Sequence, residues 1–97
     1  MKVYLDDLRE SPIGWTRTKT VCETLDLLKT GKVTELSLDH DLGYEKTGYD
    51  VLLWIEEEVY FNKMFKAPKM KIHSANESAR PKMELAIQSI KRIQMLS

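Results

Sequence analysis

Residues 36–43, Leu-Ser-Leu-Asp-His-Asp-Leu-Gly, decide how this 97-residue chain is read. An apolar run breaks off into residues able to carry protons or hold a cation. The same break occurs twice more, where Val3-Tyr4-Leu5 meets Asp6-Asp7 and where Met70-Lys71-Ile72 meets His73-Ser74-Ala75-Asn76. In an open α/β sheet the carboxyl ends of parallel strands form the crevice in which ligands bind. Three such ends would bring Asp6, Asp7, Asp39, Asp41, both histidines, Ser74 and Asn76 to one place.

Outward from residues 36–43 the chain alternates strand and helix patterns. Residues 2 to 5 read as a strand. Residues 8 to 17 are punctuated by Pro12 and Gly14 as a loop, with a short edge strand expected over Trp15 to Thr18. Thr20 and Glu23 have capping-box spacing, and Val21, Leu25 and Leu28 share a face that Gly31 closes, which predicts a helix from about 20 to 30. Val33 to Leu38 reads as a buried strand. Thr47 with Asp50 caps a helix whose apolar face is Val51, Leu52, Ile55 and Val59, leaving Glu56 to Glu58 solvated. Met70 to Ser74 is a further strand. Met83, Ala86, Ile87, Ile90 and Ile93 then stripe a last helix that starts near Ser78 to Pro81. The expectation is a single three-layer α/β domain over 1–97: a small parallel sheet of four strands in the order 2-1-3-4, with helices on both faces.

Composition narrows the function classes. Fifteen basic and fifteen acidic residues balance, so no overall field draws the chain to a polyanion or an anionic membrane. The longest apolar run, Val51 to Ile55, falls far short of a membrane span, and MKVYLDDLRE has no signal-peptide core. The lone Cys22 forms no internal disulfide. A cytoplasmic protein is expected.

Asp6, Asp7 and Asp39 at neighbouring strand ends would repel one another unless a cation or a proton lay between them. Oxygen ligands of this kind, with Asp41 beside them, suit a divalent metal, Mg²⁺ in the first instance. The plainer reading is that Asp7 pairs with Arg9 or caps a turn and that Asp41 caps the next loop. Histidine as a residue type changes charge near neutrality, so of His40 and His73 one can act as base while the other acts as acid on a phosphodiester, with Asp39 beside them. Equally, His73 can be a satisfied histidine of the sheet while His40 only orients the aspartates. Ser74, Asn76 and Arg80 stand where a strand gives way to a helix, a position that favours phosphate, although Asn76 or Ser78 can simply cap that helix. Trp15 and Tyr49 can flank the crevice and stack on a base. Trp54 reads as packing, and Lys63, Lys66, Lys69 and Lys71 as solvated surface.

These residues resemble the cyclic-phosphate processing receiver-like domains, a shortened relative of two-component receivers. The similar stretches are Leu5-Asp6-Asp7-Leu8-Arg9, Pro12-Ile13-Gly14-Trp15, Ser37 to Gly43, Thr47 to Asp50, His73 to Asn76, and Arg80 to Met83. The resemblance implies a receiver/flavodoxin-like fold, with Asp6 and Asp7 as a metal-binding acidic pair, Asp39 at the phospho-accepting position and Ser74 as the switch hydroxyl. A receiver's final strand, its phosphate-contacting lysine and its last helix have no counterpart after the helix at 81–96. His40 and His73 have no receiver counterpart either, and they make a phosphoesterase attractive. Asp39, His40 and His73 would be catalytic, and Arg9, Ser74, Asn76 and Arg80 would bind phosphate. The substrate would be a phosphate-containing small molecule or an RNA end. The alternative is a non-enzymatic receiver-like module that binds magnesium or a phosphorylated ligand, or is phosphorylated on Asp39, and signals to a protein partner.

Overall fold

In the first and third strands apolar side chains alternate with Tyr4 and Ser37, the latter buried as well. Val3, Leu5, Leu36 and Leu38 are completely buried, whereas Tyr4 between the first two is only half-buried and Lys2 and Glu35 lie toward the strand starts. Period-two alternation of this kind builds one apolar face and one polar face on a sheet. The computed structural model, which describes residues 1–96, assembles four strands: β1 (Lys2–Leu5), β2 (Thr16–Thr18), β3 (Glu35–Leu38) and β4 (Lys69–Ile72). All pairings are parallel, and the order is β2-β1-β3-β4. Three helices, α1 (Val21–Leu28), α2 (Gly48–Phe61) and α3 (Arg80–Met95), complete a receiver/flavodoxin-like α/β fold.

Local chemistry sets the helix ends. Thr20 Oγ1 accepts the Glu23 N–H at 3.1 Å, while Glu23 Oε1 accepts the Lys19 N–H, which satisfies donors the first turn leaves open. Gly31, at φ +75°, turns the chain out of α1. The Asp50 carboxylate accepts the Thr47 N–H at 2.8 Å at the start of α2. Val51, Leu52, Ile55, Met83 and Ile90 then close on the strand leucines with no exposed surface. Burial of each such side chain contributes about 1.5–3 kcal/mol. Trp54 packs edge-on against Phe65 beside this core.

The helices do not divide between the two faces of the sheet. α1 packs on α2 and α2 along α3, one continuous layer over the buried leucines. Handedness explains this: β2→α1→β3 and β3→α2→β4 step the same way across the sheet, so right-handed crossovers place both helices on the same side. Only β1→β2 steps the other way, and its connection, residues 6–15, is a loop. Asp6 Oδ1 takes the N–H groups of Leu8 and Arg9, and Pro12 O accepts the Trp15 N–H across a turn, so no helix forms there. The second outer layer is therefore this loop, and Tyr4, Ser37 and Lys71 form a helix-free face beneath it. No helix among the described residues is long and apolar enough to cross a membrane.

Candidate functional site

Register puts the polar strand ends level. Asp39 N–H donates to Leu5 O at 3.0 Å and His73 N–H to Leu38 O at 2.9 Å, so Asp6, Asp39 and His73 continue three neighbouring strands as one row. Ligand atoms of Asp6, Asp7 and Asp39 all lie within 4.8 Å of one another. Asp41 is not in that group; its carboxylate instead bonds His40 Nδ1 at 2.8 Å and Asn76 Nδ2 at 3.3 Å.

Asp6 is almost wholly buried and fully engaged. Its Oδ1 accepts two backbone N–H groups at 2.9 and 2.8 Å, and its Oδ2 faces His73 Nε2 at 3.1 Å. Burial alone would raise its pKa, but the N–H groups of Arg9 and Leu8, together with His73, bring it below the usual aspartate value. Asp6 is therefore ionised at neutral pH. His73 stacks flat on Tyr4, with ring centroids 4.0 Å apart, and its Nδ1 lies 2.7 Å from Ser37 Oγ. Desolvation pushes the His73 pKa down against the pull of Asp6 and Asp39, so the neutral ring prevails at pH 7. With an ionised carboxylate at Nε2, that nitrogen carries the proton and Nδ1 accepts from Ser37.

His40 stands differently. Its N–H donates to Asp39 Oδ1 at 2.8 Å and its Nδ1 meets Asp41, which the two partners His40 and Asn76 hold below the normal aspartate range. Its Nε2 is buried without a hydrogen-bond partner, and so is Asp7 Oδ1. No hydrogen bond joins the two imidazoles among the described residues; each has its own carboxylate, and Asp39 stands between them.

The remaining candidates have local duties. Ser74 Oγ accepts the Asn76 N–H at 3.0 Å, and Asn76 Oδ1 accepts the Ala79 N–H just before α3. Arg9 donates to His73 O. Arg80 braces the end of β4 by donating to Ile72 O and Ser74 O and pairs with Glu84. Trp15 lies on the helix-free face against Tyr4, whereas Tyr49 packs against the core with Lys82 over its ring, so the two do not flank one crevice.

Residue patterns missed three contributors. Gly48 passes so close to Asp39 that a Cβ would lie 1.9 Å from the Asp39 carbonyl oxygen. By sequence Ser37 is part of a buried strand and Lys71 is solvated surface; pairing places both beside His73. Period-two spacing was the available signal: Ser37 and Asp39, like Lys71 and His73, share a face.

The carboxylates fit a divalent cation on the structure's own terms. Asp7 Oδ1 is an unpaired buried acceptor within the cluster, and the donor set is all oxygen. Residues 1–89 match the family described as the cyclic-phosphate processing receiver domain. No curated protein and no solved structure matches the chain.

Proposed function

The chain belongs to the cyclic-phosphate processing receiver domain family, and on that premise we propose that it is a phosphoesterase opening a cyclic phosphate on an RNA end or a nucleotide. The observation that carries this reading is the pair of carboxylate–imidazole units at the strand ends, Asp41–His40 and Asp6–His73, on either side of Asp39. An imidazole with one nitrogen on a carboxylate and the other open is the arrangement used for proton transfer. His40 comes closest to it: Asp41 orients the ring, and Nε2, although buried, has no hydrogen-bond partner to compete with a substrate oxygen. Asp7 and Asp39, with Asp6 behind them, would hold magnesium, which when bound offsets the charge on the phosphate. The Ser74 hydroxyl, the Asn76 amide and the Arg9 guanidinium would grip the remaining phosphate oxygens.

Hydrolysis of 2′,3′-cyclic nucleotides tests the reading. His40→Ala should lower the rate by roughly 10²–10⁴, the usual contribution of a positioned acid or base. Equal rates for wild type and variant would remove His40 from the chemistry. A second reading, a module phosphorylated on Asp39, draws on the Asp7–Asp39 proximity and the nearby Ser74 hydroxyl. Acetyl phosphate with magnesium distinguishes the two, because only the module gains a stable phosphoryl group on Asp39.

A further inference from the structure

His73 has no free nitrogen. Nε2 is committed to Asp6 and Nδ1 to Ser37, so the proton His73 is placed to take is the one on Ser37 Oγ, 2.7 Å away. We propose that Ser37 is a nucleophile toward phosphoesters, in a cleft on the helix-free face of the sheet that adjoins the acidic row through His73 and Asp6. This deepens the phosphoesterase reading, and rests on it, by naming the attacking atom.

Three further observations converge. Ser37, at the midpoint of β3, is flanked in register by Tyr4 on β1 and Lys71 on β4. Its short side chain lets the His73 ring reach across β3 to stack on Tyr4 and meet Asp6, which links Ser37, His73 and Asp6 by hydrogen bonds. Ser37 and His73 also line a cleft of about 410 Å³ walled by Tyr4, Pro12, Trp15 and Lys71. Lys71, which lines the cleft, holds its ammonium group 5.2 Å from the Trp15 ring centroid and brings a positive charge to it, while Lys2, 5.7 Å from the same ring, pairs with Glu35. A phosphate diester anion suits that environment, and an aromatic group attached to it would find Trp15 beside it.

The chemistry balances with water alone. Ser37 Oγ forms a bond to phosphorus as one ring P–O bond breaks, and the hydroxyl proton passes through His73 Nδ1 to the departing oxygen. Water then attacks the serine-linked phosphodiester and gives up a proton to His73, and Ser37 recovers it as its oxygen leaves. The products are a phosphomonoester and a free hydroxyl.

A fluorophosphonate probe tests the nucleophile on the whole chain without needing a known substrate, because Ser37 attack at phosphorus expels fluoride. Mass spectrometry should find one adduct, on Ser37, absent from Ser37→Ala and formed at least ~100-fold more slowly in His73→Gln and in Asp6→Asn. No adduct, an adduct on another residue, or unchanged labelling in folded His73→Gln overturns the proposal. The nitrogen shifts of His73 in the wild type supply a check independent of variant folding: a proton on Nε2 is required, and a proton on Nδ1 overturns the proposal. Labelling of Ser37 without cyclic-phosphate turnover keeps the nucleophile and removes the phosphoesterase. Turnover that survives Ser37→Ala does the reverse.

Discussion

His40 and His73 both follow a strand of the same sheet, yet His73 has both ring nitrogens hydrogen-bonded while His40 has one on Asp41 and the other buried without a partner. The difference comes from a single position of register. His73 is level with Asp39 and so continues the face that carries Ser37 and Lys71, where it finds a hydroxyl on one side and a carboxylate on the other. His40 comes one residue later than that level, in the loop that Gly48 and α2 hold in place. One histidine is wired into the sheet and the other keeps an unpartnered ring nitrogen, so their hydrogen-bonding differs even though their residue type and strand-end setting agree.

Gly48→Ala attacks the His40 side most directly. The new methyl would meet the Asp39 backbone oxygen at 1.9 Å, and neither the helix start nor the strand end can yield without moving the loop. Overpacking against backbone should cost about 3 kcal/mol or more, which for a domain of this size lowers Tm by more than about 12 °C in a melting experiment. A melt within a few degrees of wild type would show that the loop around His40 is not held as described.

A smaller effect separates the His73 side. The folded pocket binds a proton on His73 less readily than the unfolded chain does. The stability His73 contributes is therefore complete above its ordinary pKa of 6.5 and is lost as pH falls from there through the folded value. His73→Gln should flatten the dependence of the urea midpoint on pH just below 6.5, and a slope as steep as that of the wild type would contradict the buried Asp6–His73–Ser37 chain.

The smallest expected change is at Arg80, which serves neither imidazole. Its guanidinium is half-exposed and tied to two carbonyls and Glu84. Arg80→Ala should cost no more than about 1 kcal/mol and change cyclic-phosphate turnover by less than about threefold. A large loss of turnover with unchanged stability would return Arg80 to the phosphate site.

Much of this molecule is legible in its residues alone. The alternation of Val3, Leu5, Leu36 and Leu38, the Thr20 and Thr47 caps and the stripe from Met83 to Ile90 specify strands and helices through local rules, and chain direction then restricts the sheet to few orders. The three polar strand ends were visible for the same reason, since an apolar run that stops at charged residues marks where a strand leaves the core. What the sequence could not settle was pairing at the level of single atoms. The loop in place of a helix on the second face turns on which backbone groups Asp6 takes, and the Gly48 approach to Asp39, the role of Arg80 as a brace and the Ser37–His73–Asp6 chain depend on residues 6 to 67 positions apart meeting at a particular register. Side-chain identity sets what a group can do, whereas hydrogen-bond geometry falls off within fractions of an ångström, so only the folded arrangement decides which partner each group has.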